Sequence, residues 1–105
     1  AGDFVNVFND GGVAKVRKAD GSNGSAPANG FVLSAVLVNA QATVYWGGIN
    51  DQVSGLTAGI QYLSTTPGIS SHIAPATAGN VVQRLGYAFS STTIYFQPQD
   101  PILLA

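Results

Sequence analysis

Short runs of alternating apolar and polar residues, interrupted about every ten residues by Gly, Asn, Asp or Pro, are the dominant pattern of this chain. Such alternation is typical of β-strands, because successive side chains point to opposite faces of a sheet. The 13 Gly and 5 Pro residues disfavour helices. At 105 residues the chain has the length of one domain. We therefore predict a single all-β domain over residues 1–105, a small antiparallel β-barrel or sandwich.

Turn residues divide the predicted strands. Residues 3–8 and 13–18 form a predicted hairpin, because an Asp-Gly pair between them favours the positive φ angles of a tight turn. Residues 19–30 are small and polar with no period, which predicts a surface loop. Residues 31–38 are apolar at nearly every position, which predicts a strand covered on both sides.

The clearest predicted strand covers residues 81–90. Its alternation places four apolar residues on one face: Val81, Leu85, Tyr87 and Phe89. Gly86 predicts a β-bulge or a close approach of another backbone. The chain closes with the apolar residues 102–105, and we expect this tail to be docked on its own domain or on a neighbour.

Charge and composition exclude several classes of partner. Only 9% of the residues are charged and the formal net charge is −1, which argues against a nucleic-acid binder. There is no Cys, so disulfides and thiolate metal sites are excluded. No apolar run approaches the roughly 20 residues of a membrane-spanning helix, so no membrane partner is predicted.

Residues suited to catalysis are scarce. His72 is the only histidine, and no Gly-x-Ser-x-Gly motif, phosphate loop or alternating Asp ladder accompanies it. We interpret His72 as a solvated or hydrogen-bonded strand residue. The sequence therefore predicts no enzyme activity, no catalytic residue, no cofactor and no metal.

Two clusters have both a structural and a functional interpretation. Lys15, Arg17 and Lys18 either protect an edge strand from unwanted pairing or bind an acidic patch on a partner. Five larger aromatic residues either fill the core or form a protein interface or a sugar platform: Tyr45, Trp46, Tyr62, Tyr87 and Tyr95. A protein interface is favoured over a sugar site because carboxylates, which usually accompany aromatics in carbohydrate clefts, are few.

The apolar content points to assembly. Hydrophobic residues make up 46% of the chain, several predicted strands are apolar on both faces, and the tail is apolar. A monomer of this size would expose apolar patches larger than soluble monomers usually tolerate. We therefore expect the chain to complete its burial against other chains.

The sequence also resembles a β-module of phage and prophage structural proteins. The similarity lies in residues 2–7 (GDFVNV), 9–12 (NDGG), 14–19 (AKVRKA), 30–33 (GFVL), 54–59 (SGLTAG), 62–64 (YLS), 79–88 (GNVVQRLGYA) and 101–104 (PILL). It extends over nearly the whole chain. More loosely, the chain is similar to the small β-barrel cement proteins of phage capsids.

This resemblance implies a multi-copy role in the virion without an active site or cofactor. The resemblance does not decide which part of the particle this is, and we predict a head decoration (cement) protein of a bacteriophage that binds the major capsid protein, as a homotrimer at a local threefold of the lattice. The alternative is a terminal, receptor-facing domain of a tail fibre that contacts a host surface receptor. The short chain favours decoration, and its start without Met keeps the fibre domain open.

The residues expected at the protein interface fall into two groups. Apolar contacts are predicted for Phe31, Val36, Trp46, Ile102, Leu103 and Leu104. Charge pairing with the partner is predicted for Lys15, Arg17 and Arg84.

Overall fold

Ten short β-strands form the secondary structure of the protein in a computed structural model that describes residues 2–22, 24–34, 36 and 40–103. They are β1 (Phe4–Asp10), β2 (Val13–Lys18), β3 (Gly30–Phe31), β4 (Gly48–Asn50), β5 (Gly59–Leu63), β6 (Ser70–Ser71), β7 (Val81–Val82), β8 (Arg84–Ser90), β9 (Thr93–Phe96) and β10 (Ile102–Leu103). The described residues contain no helix. The all-β prediction is confirmed.

The strands pair into three antiparallel sheets with the orders β2-β1-β3, β10-β7 and β4-β9-β8-β5-β6. None of these sheets closes into a barrel, and a sandwich-like arrangement is compatible with them. The predicted hairpin is β1 and β2, with Gly11 and Gly12 at φ angles of 62° and 89° in the turn. The Asn9 side chain accepts a hydrogen bond of 2.8 Å from the Gly12 backbone N–H, which closes that turn.

The core joins the three-stranded and five-stranded sheets. Phe4 of β1 and Phe31 of β3 both pack on Phe96 of β9, with ring centroids 5.5 and 5.4 Å apart. Phe31 also stacks on Tyr45 at 5.5 Å. Leu63, Leu85 and Ile94 from the five-stranded sheet complete this buried cluster together with Ala19 and Ala28.

The described residues of the surface loop predicted over 19–30 form no strand before Gly30, and Ser22, Gly24 and Ser25 are exposed, but the alanines of this loop are buried. Ala19, Ala26 and Ala28 are buried. A Cβ at Gly21 would lie 2.8 Å from the Ser64 carbonyl oxygen, so the small residues let two backbones approach closely. The absence of large side chains in this segment is therefore a packing requirement.

Two other segments also differ from the sequence prediction or refine it. Among the described residues of the strand predicted over 31–38, only Phe31 belongs to a strand, Gly30–Phe31, and the chain bends at 33–34, while residues 35, 37 and 38 lie outside the described residues. The apolar tail is docked on its own domain, because Ile102 and Leu103 pair with Val82 and Val81. Leu104 and Ala105 lie outside the described residues.

A β-bulge interrupts β8, as Gly86 predicted. Gln61 pairs with Gly86 and Tyr62 pairs with Arg84, so Leu85 is an extra residue on the β8 side. Gly86 has a φ of 147°, and a Cβ there would collide with the Tyr95 carbonyl oxygen of β9. The predicted bulge and the predicted close approach are both confirmed.

The bulge reverses the side-chain alternation along β8. Leu85 and Gly86 are consecutive and both buried, whereas Tyr87 and Phe89 are exposed. The prediction that Tyr87 and Phe89 share a face with Leu85 is therefore wrong, because the extra residue shifts the period by one.

Candidate interaction surface

The outer face of the five-stranded sheet carries a row of four apolar side chains. Ile49 of β4 lies opposite Tyr95 of β9, Tyr95 lies opposite Tyr87 of β8, and Tyr87 lies opposite Ile60 of β5. Phe89 follows Tyr87 on the same face, with the two ring centroids 5.9 Å apart. We call these five residues the aromatic sheet face.

The inner face of the same strands explains why these side chains point outward. Gln61, Ala88, Ile94 and Phe96 alternate with them and are buried. An antiparallel sheet with one face on the core usually presents polar side chains to water on the other face. Here one outer position on each of four adjacent strands is apolar instead, and these positions form a row about 14 Å wide at the usual strand spacing.

Exposure makes the aromatic sheet face accessible to a partner. Its five side chains are between 41% and 58% exposed. Taking about 200 Å² for a fully exposed large side chain, they present on the order of 500 Å² of apolar surface. Patches of that size on soluble proteins are often binding sites.

Charge is nearly absent from this sheet. Among the residues of its five strands, all of which the structure describes, Arg84 is the only charged one. Arg84 is half-buried and pairs with Tyr62 on the next strand, beyond the bulge. The aromatic sheet face itself therefore contains no charged side chain.

The lysines of the basic cluster lie on β2, which is the edge strand of its sheet. Lys15 forms an exposed ion pair with Asp10 at 2.7 Å, and Lys18 approaches Asp3 at 3.8 Å. Exposed pairs of this kind contribute about 0–1 kcal/mol each. Their position fits the edge-strand interpretation, since charged residues on an edge discourage pairing with another chain.

Arg17 makes several contacts within the chain. Its Nε donates to Asn6 Oδ1 at 2.9 Å and its Nη2 donates to the Ser25 carbonyl oxygen at 2.6 Å. The guanidinium carbon also lies 4.5 Å from the centre of the Phe8 ring. These contacts hold the β1–β2 hairpin against residues 19–30.

Four of the residues predicted to make apolar interface contacts are exposed. Val36, Trp46, Ile102 and Leu103 are each more than 40% exposed. Trp46 lines a shallow cleft of about 240 Å³ together with Pro27, Pro98 and Pro101. These side chains are separate from the aromatic sheet face, which the structure builds from other residues.

The remaining predicted apolar contacts have a different status. Phe31 is only 1% exposed and packs in the core, so the surface role predicted for it is wrong. The signal was ambiguous, because an apolar strand residue serves a core and an interface equally well. Leu104 lies outside the described residues.

Sequence reasoning missed part of the aromatic sheet face. Tyr87 and Tyr95 were among the aromatics with a possible interface role, but Ile49, Ile60 and Phe89 were not recognised. For Phe89 the signal is Gly86, whose bulge shifts the period of β8 and turns Tyr87 and Phe89 to the outside. For Ile60 it is the alternation of β5, which separates Ile60 from the buried Gln61 and Leu63.

The candidate metal-ligating and catalytic residues of the described part of the chain do not cluster into a metal site. No group of three or more His, Asp or Glu residues within them could hold a metal ion. His72 is exposed. In the same part of the chain every buried side-chain nitrogen and oxygen has a hydrogen-bond partner. No described helix is long and apolar enough to cross a membrane.

Comparison with known proteins gives no further assignment: no family model matches the chain, and no curated protein or solved structure is significantly similar to it.

Proposed function

We propose that this chain is a structural protein of a bacteriophage virion, a capsid decoration (cement) protein that acts by binding and not by catalysis. The observation that carries the proposal is the aromatic sheet face, an uncharged apolar row on the outside of a sheet. The sequence resemblance to phage structural modules supplies the biological setting. The proposed partners are the major capsid protein and further copies of the chain, in the assembled virion.

The exposed area indicates how such a protein would act. Covering about 500 Å² of apolar surface stabilises a contact by roughly 12 kcal/mol before costs, at about 25 cal/mol per Å². Association itself costs roughly 4–15 kcal/mol, so a single contact is modest in net affinity. Many equivalent contacts on one lattice then stabilise the shell far more than any one of them does.

Several exposed apolar side chains outside the aromatic sheet face are available for the coat protein. We propose that Trp46, Val36, Ile102 and Leu103 contact it. Lys15, Arg17 and Arg84 are proposed to add charge pairing at the edge of that contact, although Lys15 and Arg17 are already engaged within the chain. Phe31 has no part in it.

Quantitative mass spectrometry of purified particles tests the proposal. Particles of the phage whose genome encodes the chain are isolated, and its peptides are counted against those of the coat protein. A decoration protein on a symmetric lattice is expected in copy numbers on the order of hundreds.

Two results would contradict the decoration function. Copy numbers on the order of tens would favour the tail-fibre domain instead, because a particle carries few fibres. Absence of the chain from purified particles would overturn the virion proposal altogether. Peptides of a minor tail protein from the same particles serve as the internal control for low copy number.

A further inference from the structure

We infer that the aromatic sheet face binds a second copy of this chain, so that two copies pair face to face about a twofold axis. The inference rests on the proposed function in taking this face as a binding surface, and it goes further by naming the partner. The argument has three parts: the order of side chains in the row, their lack of charge, and the area that pairing covers.

The row is symmetric in its side-chain types. Across the sheet it runs Ile49, Tyr95, Tyr87, Ile60, with the aliphatic residues outside and the tyrosines in the centre. A twofold contact uses the same patch on both subunits. An axis parallel to the strands, through the middle of the row, places Ile49 over the second copy's Ile60 and Tyr95 over its Tyr87. An axis along the row instead places each residue over the same residue of the second copy.

Both arrangements bring aliphatic onto aliphatic and aromatic onto aromatic side chains. Aromatic pairs contribute beyond the area they bury, because offset and edge-to-face rings attract one another. Phe89 lies beside Tyr87 and extends the apolar contact along β8. Two sheets packed in this way lie about 10 Å apart with their strands aligned to within about 30°.

Lack of charge on the face favours a second copy in particular. When two identical faces meet, a charge in the middle of one meets or neighbours the same charge on the other and repels it. The strands of this sheet contain Arg84 as their only charged residue, and it is half-buried beside Tyr62, outside the apolar row. Self-association therefore brings no like charges together in the centre of the contact.

The area agrees with the size of a small specific interface. About 500 Å² of apolar surface on each copy gives about 1,000 Å² in total, before the polar rim is counted, which is close to the lower bound for specific protein contacts. The molecule is also flat, with extents of 36 × 33 × 18 Å, so a broad sheet face is open to a partner of the same shape.

Sedimentation of the purified chain tests the inference. Velocity runs from about 1 to 200 µM bracket the dissociation of a dimer with a micromolar Kd. We expect a species of twice the 10.7 kDa chain mass at the upper concentrations, dissociating on dilution. Tyr87→Glu and Ile49→Glu place unpaired charges in the contact, and each is expected to raise the dimer Kd at least tenfold.

Val13→Glu is the matched control, because Val13 is an exposed strand residue of β2, outside both the aromatic sheet face and the proposed coat-protein contact. It is expected to leave the dimer Kd within about twofold of the parent value. Far-ultraviolet circular dichroism checks that each variant keeps the β-sheet signal of the parent. Because Tyr87 and Ile49 are both exposed, at least one of the two variants is expected to fold.

Three results would overturn the inference. They are a parent chain that stays monomeric up to 200 µM, a trimer in place of a dimer, and a dimer that both Glu variants leave intact. These outcomes differ from failure of the proposed function, which particle composition measures. A monomeric chain present in hundreds of copies per particle would refute only the pairing, and a dimeric chain absent from particles would refute only the virion function.

Discussion

Replacing Gly86 with alanine tests the bulge that turns Tyr87 and Phe89 outward. Gly86 combines a φ of 147° with a position where a Cβ would collide with the Tyr95 carbonyl oxygen. Alanine at position 86 would be strained, because its side chain disfavours this backbone conformation. Its Cβ would also force apart β8 and β9, which are paired by hydrogen bonds at this point. Both effects should lower the free energy of unfolding.

A matched glycine separates the two effects. Gly59 lies on the neighbouring strand β5 with a φ of 123°, and a Cβ there would have no atom within 4 Å. Gly59→Ala should lower the free energy of unfolding by about 1–2 kcal/mol, since only the strained conformation acts. Gly86→Ala adds an overlap that costs about 2 kcal/mol more, so the expected total is about 3–4 kcal/mol.

Urea denaturation followed by circular dichroism measures both variants. At an m value of about 2 kcal/mol per M, the extra loss for Gly86→Ala places its midpoint about 1 M below that of Gly59→Ala. A fixed, low protein concentration prevents self-association from contributing to the measured stability. Equal midpoints for the two variants, or a Gly86→Ala variant as stable as the parent, would refute the close approach of β8 and β9.

Three further substitutions test the core, the buried polar contacts and the edge strand by the same denaturation assay. Gln83→Leu removes the partner of the Ala28 backbone N–H and C=O, at 2.7 and 2.8 Å, and should lower the free energy of unfolding by about 2–4 kcal/mol. Phe31→Ala should lower the free energy of unfolding by about 3–5 kcal/mol, because Phe31 is a core residue. A loss below about 1 kcal/mol would contradict the core position of Phe31. Lys15→Ala breaks an exposed ion pair and should change the free energy of unfolding by less than about 1 kcal/mol. The change should be smaller still in high salt, because salt screens the pair. A loss above 2 kcal/mol for Lys15→Ala would contradict the account of the edge strand.

Local sequence signals predicted the elements whose conformation is decided locally. The β1–β2 hairpin follows from Asp10-Gly11 and two flanking strands, and the structure has it with strand bounds of Phe4–Asp10 and Val13–Lys18. In β5 the alternation correctly separated the buried Gln61 and Leu63 from the exposed Ile60. These features need no knowledge of distant residues.

Features that depend on distant contacts were not predictable in the same way. Residues 19–30 have the composition of a surface loop, yet Gly21 and Gly30 are small because the backbones of Ser64 and Tyr45 pass beside them. An apolar run such as residues 31–38 does not specify which of its residues pair or are buried: among its described residues Phe31 pairs with β1 and is buried, whereas Val36 is exposed. The faces of β8 could be assigned only once the position of the extra residue at the bulge was known.

The most direct test of the central claim, that other chains cover the aromatic sheet face, is hydroxyl-radical footprinting. Oxidation of Tyr87, Phe89 and Tyr95 is measured in the dilute free chain and in purified particles, with total oxidation of each chain used for normalisation. The account predicts that these three side chains, which are 41–58% exposed in the isolated chain, become several-fold less reactive in particles. Equal reactivity in the free and assembled states would contradict it.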